Sequence, residues 1–136
     1  DRIASAIRSS MESADIVITT GGMGPTIDDP TREAVARAIG VEIEFREDLW
    51  QQVVETIARY GRKPSENQKR QAYVPKGALG LKNPVGTAPC FIVERPSSKL
   101  GEGMRVVISL PGVPQEMEQI LHESVIPYLQ KRFNLN

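Results

Sequence analysis

The spacing of apolar and polar positions divides the chain into short elements. Ile3, Ile7 and Met11 recur every fourth residue with Arg8, Ser9 and Glu12 between them. That spacing predicts an amphipathic helix, with Asp1 as its cap. Ile16, Val17 and Ile18 form a β-branched run that reads as a buried strand over 15–19. Ala34, Val35, Ala38 and Ile39 return to helical spacing and stop at Gly40, a suitable helix-terminating residue. Residues 41–45 alternate strictly, as a strand with one wet face near a sheet edge does. Leu49, Trp50, Val53, Val54 and Ile57 predict another helix, ended by Gly61. The polar stretch 62–71 holds a short helix starting at Ser65, and 73–77 reads as a turn. Phe91, Ile92 and Val93 pair as a hairpin with 104–110 around the polar, glycine-bearing 97–103. Pro114 opens a last helix carrying Met117, Ile120 and Leu121, which Pro127 interrupts and restarts for a turn or two through Leu129.

Strands alternating with helices predict an α/β class with a largely parallel sheet covered on both faces. In such sheets, ligands bind outside the carboxyl ends of the strands. The strands ending at Thr20 and Leu110 both run into Gly/Pro loops that open helices. Both loops are therefore expected on one rim.

The first loop, Gly21-Gly22-Met23-Gly24-Pro25-Thr26, is followed by Asp28, Asp29 and Pro30. Its glycines permit positive φ and close approach of a ligand. Pro30 suits the first turn of a helix, with Asp29 as its N-cap. A strand, a glycine loop and a helix N-terminus together make a phosphate cradle. The spacing is neither that of a P-loop nor that of a dinucleotide fingerprint. Carboxylates beside a cradled phosphate repel it unless a cation lies between them, so Asp28 or Asp29 is a candidate ligand for a divalent ion. Asn83 and Thr87, in Asn83-Pro84-Val85-Gly86-Thr87-Ala88-Pro89, can bond phosphate or ribose. Pro111-Gly112 sits on the same expected rim, and Glu116 one turn later is a candidate base or metal ligand, or a plain first-turn residue. Lys63, Lys69 and Arg70 read as a solvated face that could meet an anion reaching from the rim. Cys90 reads as packed rather than reactive, and His122 stands alone.

Composition narrows the partners. The 136 residues suffice for one domain, and 40% hydrophobic with 25% charged residues is ordinary for a globular chain. Seventeen basic residues balance seventeen acidic ones, and aromatics are 5%, so neither nucleic acid nor an anionic membrane is favoured. One cysteine forms no internal disulfide, which points to a reducing, cytoplasmic setting.

The pattern Asp15-x-Val17-Ile18-x-Thr20-Gly21-Gly22-Met23-Gly24-Pro25-Thr26-x-Asp28-Asp29-x-Thr31 resembles the MoaB/Mog molybdopterin-binding superfamily. It is most similar there to the N-terminal domain of the CinA (competence/damage-inducible) type. Asn67-x-Lys69-Arg70-Gln71-Ala72, the 83–89 segment, and Leu110-Pro111-Gly112-Val113-Pro114-x-Glu116-Met117 agree with it in order. The resemblance implies a MogA-like three-layer α/β/α sandwich with a mainly parallel sheet, a homo-oligomer, and one domain over 1–136 lacking its first strand-helix-strand. It also implies that many full-length members carry a C-terminal amidase domain. Cys90 departs from the family, which has Gly there.

Two activities attach to such domains. The first is divalent-metal-dependent (Mg, Mn or Co) pyrophosphatase action on ADP-ribose or a related nucleotide diphosphate. In it, Gly21, Gly22, Met23, Gly24 and Thr26 hold a phosphate, and Asn83, Gly86, Thr87, Pro111 and Gly112 position the nucleotide. Asp29 and Asp1 hold the metal, and Asp28, Asp29 and Glu116 serve catalysis. The alternative is molybdopterin binding without hydrolysis.

Overall fold

The computed structural model describes residues 2–23, 30–84, 86–87, 89–96 and 103–134. Asp1, Gly24, Thr26, Asp28 and Asp29 lie outside the described residues, so the expected helix cap, part of the cradle and the expected metal carboxylates are not among them.

The chain runs α1 (Arg2–Ser13), β1 (Ile16–Thr20), α2 (Thr31–Ile39), β2 (Ile43–Phe45) and α3 (Glu47–Arg59), then a 3-10 helix (Glu66–Ala72). It continues through β3 (Tyr73–Pro75), β4 (Leu79–Leu81), β5 (Cys90–Pro96), β6 (Met104–Leu110), α4 (Pro114–Ile120), a π-helical turn (Leu121–Val125) and α5 (Ile126–Arg132). The central sheet has the order β1-β6-β5-β4. The expected parallel pairing holds for β1 and β6, in a register that sets Thr20 beside Leu110. β5 pairs antiparallel with β6 as the expected hairpin, and β4 adds antiparallel to β5. Among the described strands the sheet is thus mixed.

Alternation along the strands separates two cores. Phe91, Val93 and Val107 face one way and pack with Ile7 of α1, Val35 of α2 and Leu49 of α3. Cys90, Ile92, Val106, Ile108 and Leu110 face the other way and pack with Ile120 and Val125 behind α4. Helices on both faces of one sheet make the three-layer α/β/α sandwich that the resemblance implied.

Four local readings are corrected. Residues 41–45 do supply a strand, but β2 pairs antiparallel with β3 in a separate ribbon rather than at the edge of the main sheet. The 73–77 turn begins as that β3 strand, its Phe45 and Tyr73 rings meeting edge to face at 5.5 Å. Helix α2 starts at Thr31, which leaves Pro30 in the position before the helix rather than in its first turn. Pro127 has no N–H for an α-helical bond. The chain absorbs this in the π-turn just before it and continues as α5 to Arg132, past Leu129.

Candidate functional site

The parallel register of β1 and β6 puts the two loops that follow them side by side. Gly21 N–H donates to the Leu110 carbonyl at 2.9 Å, extending the ladder by one residue. The chains then come so close that a Cβ on Gly112 would lie 3.2 Å from Gly21 Cα. Gly21 and Gly22 both take positive φ, +85° and +68°, which turns the backbone out of the strand.

The first residues of α2 hold that turn. Thr31 donates its hydroxyl to the Gly21 carbonyl at 2.8 Å, and its N–H to the Gly22 carbonyl at 3.2 Å. A side chain on Gly22 would overlap the Thr31 hydroxyl. Arg32, only 1% exposed, donates from Nη1 to the Met23 carbonyl at 2.7 Å. With these carbonyls occupied, the N–H groups of Gly22, Met23 and Gly112 have no protein acceptor among the described residues. Thr31 and Arg32 went unassigned in the sequence reading. The only local signal for them was a hydroxyl and a cation in the first turn after the glycine loop.

A second cluster is built from side chains. Asn83, 5% exposed, donates from Nδ2 to Glu116 Oε1 at 2.9 Å and accepts from the Gly86 N–H at 2.9 Å. Gly86 lies so near Glu116 that any Cβ there would overlap the carboxylate. Asn83, Gly86 and Glu116 are therefore brought together as one unit. Glu116 follows the Pro111-Gly112 turn in the first turn of α4. Thr87 faces elsewhere along the same loop, where Gln71 Nε2 donates to its hydroxyl oxygen at 3.3 Å. Gln71 is itself buried, and its Oε1 has no partner among the described residues. A salt bridge of 3.4 Å between Arg70 and Glu33 ties the 3-10 helix to α2. Arg70 is therefore not part of a purely solvated face.

Cys90 begins β5 directly after this loop and is fully buried. Burial pushes its thiol up to about 12, and the negative charge of Glu116 adds to the shift. It is a packed, inert side chain at neutral pH.

The family described as "Probable molybdopterin binding domain" matches residues 1–131. The chain belongs to that family. Within it the relatives include proteins of the CinA type. A protein of Halothermothrix orenii described as competence-damage inducible is 39% identical over 137 residues, covering 98% of this chain and 31% of the relative. A protein of Pyrobaculum arsenaticum is 43% identical over 132 residues, covering 97% and 47%. The crystal structure of CinA from Thermoplasma acidophilum, described as of unknown function, superposes with a TM-score of 0.76 at 35% identity. It covers 93% of this chain and 70% of that one. The chain thus spans between about a third and a half of the length of the curated relatives it matches.

Proposed function

We propose that the rim formed by the β1–α2 and β6–α4 loops binds the phosphate of a molybdopterin-type ligand. The observation that carries this reading is the contact of Gly112 with Gly21, beside N–H groups that no protein acceptor occupies among the described residues. Backbone donors at a loop leading into a helix suit an anion. The family description names the ligand class. Anaerobic calorimetry with molybdopterin tests it. Binding that is lost in Gly22→Ala supports the reading, and no binding by the full chain overturns it.

The second reading is hydrolysis of ADP-ribose or a related nucleotide diphosphate, supported by the partly buried Asn83–Glu116 unit next to the rim. A divalent ion would supply charge neutralisation at the bridging oxygens and a more acidic water. Glu116 fits such a role: its Oε1 is held by Asn83, which fixes the carboxylate, and one or two carboxylates with substrate phosphates suffice for Mg²⁺. AMP release from ADP-ribose with Mg²⁺, Mn²⁺ or Co²⁺, abolished in Glu116→Gln, is the corresponding test. Absence of turnover with all three metals leaves the binding reading alone.

A further inference from the structure

The end of the sheet opposite the rim carries a charge pattern that strand pairing alone disfavours. Arg95 and Arg105 stand directly opposite each other in the antiparallel β5–β6 register. Like charges in that position oppose pairing. Both lie on the face of Val93 and Val107, which packs against α1 and α2. Arg8 joins them from α1. Its Nη2 donates to the Arg37 carbonyl at 3.3 Å, and Arg95 Nη2 donates to the Ile39 carbonyl at 2.9 Å. The three guanidinium groups, with Met11, Glu12 and Ile39, line a pocket of about 210 Å³.

Cations at the last carbonyls of α2 need no ligand to be favourable there, which accounts for Arg8 and Arg95 in part. It does not account for Arg105. That residue is 6% exposed, and its buried Nε–H has no acceptor among the described residues. None of the three arginines forms an ion pair with a carboxylate among the described residues, Glu12 on the pocket wall included. A buried cation with an open donor is costly until an anion completes it. The pocket is smaller than the roughly 300 Å³ at which sites for whole small molecules begin, and suits a single oxyanion group. Forked guanidinium donors match the oxygens of a tetrahedral phosphate.

We propose that this pocket binds a phosphate group, free or as a monoester, between Arg8, Arg95 and Arg105. It is a second anion site, separate from the rim. Leu110 lies five residues along β6 from Arg105, roughly 17 Å away at about 3.4 Å per residue. The pocket therefore stands whether or not the rim takes its ligand. An anion held there joins α1 to β5 and β6 and stabilises the folded chain in proportion to its occupancy.

The test is thermal melting and calorimetry of the full chain with inorganic phosphate and, separately, glycerol phosphate, against potassium chloride at matched ionic strength. At least one of the two is expected to raise the melting temperature of the parent, and which one does so identifies the free ion or the monoester as the ligand. Arg105→Met keeps the length of the side chain and removes its charge. Without phosphate this variant should melt at or above the parent, because the opposed cations are relieved. Its affinity for phosphate should fall about tenfold or more, and its melting temperature should no longer respond. Arg8→Gln changes an exposed residue and should weaken phosphate severalfold with the fold intact, so it decides alone if Arg105→Met melts below the parent. Gly112→Ala, at the rim, should keep the response that Arg105→Met loses. No response to either phosphate in the parent, an undiminished response in the arginine variants, or loss of the response in Gly112→Ala overturns the pocket.

Discussion

The rim and the cleft between α3 and the 3-10 helix are built from opposite materials. At the rim, the donors are backbone N–H groups, placed by a parallel strand pair and fixed by Thr31 and Arg32 from beneath. In the cleft, long side chains extend from a helix end and a capped 3-10 turn. A backbone site is set by steric fit and is lost with one added methyl group. A side-chain site is set by charge and reach, and weakens by steps as each group is removed. The difference separates what the fold requires from what a ligand selects. Gly22 cannot change without disturbing the turn between β1 and α2, whereas the cleft can be retuned with little cost to folding.

The sharpest way to break the comparison is at Gly22. Gly22→Ala adds a side chain at φ +68° that overlaps the Thr31 hydroxyl, so it should cost about 2–3 kcal/mol of stability as well as ligand binding. Chemical denaturation with calorimetry reads both. Arg32→Ala should cost about 3 kcal/mol, because it leaves a buried cavity and the Met23 carbonyl without its donor. If either variant is as stable as the parent, the rim is not held from beneath.

Glu116→Gln is milder. It keeps the shape of the Asn83 unit and should change stability by less than about 1 kcal/mol, while any hydrolytic turnover falls by about a hundredfold or more. Retained binding with lost turnover would separate the two functional readings. Cys90 should resist alkylation at pH 8 in the folded chain and take one equivalent in denaturant, since burial and Glu116 hold its thiol near 12. Rapid labelling of the native chain would show that the Asn83–Glu116 loop opens.

The smallest effect lies far from both sites. The Tyr128 hydroxyl, with Arg132 at 2.8 Å, holds the Glu94 carboxyl below its ordinary 4.5, against the opposing effect of burial. A depressed folded value stabilises the fold above the ordinary carboxylate range, and that contribution is lost as pH falls through the lower folded value. Glu94→Gln should therefore flatten the acid limb of a stability–pH profile by well under 1 kcal/mol, because the pair is partly solvated. It should leave both sites unaffected.

How far these regions were legible in the sequence differs for the same reason. The rim announced itself through β-branched runs meeting glycines at Thr20 and Leu110, because backbone geometry restricts which residues are allowed. Its supports did not, since nothing in the text distinguishes a buried Arg32 from the exposed Arg37 on the same helix. Asn83 and Glu116 were each marked, yet their pairing across the chain is a tertiary fact with no local sign. The ribbon of β2 and β3 escaped because Tyr73-Val74-Pro75 is too short to show alternation and Pro75 reads as a turn residue. Leu79–Leu81 was missed for its length, and because Gly80 weakens a strand pattern. Gly80 is there because Leu49 fills the space a side chain would occupy.

Gly112→Ala tests the rim most directly. Its Cβ would sit 3.2 Å from Gly21 Cα, a contact that a few tenths of an ångström of backbone movement relieves, so the fold should survive while the two loops are pushed apart. Calorimetry with molybdopterin on parent and variant, with thermal melts alongside, is the measurement. A rim that grips phosphate through its backbone should lose about tenfold or more in affinity with the melting temperature nearly unchanged. Equal affinity in the two proteins would contradict it.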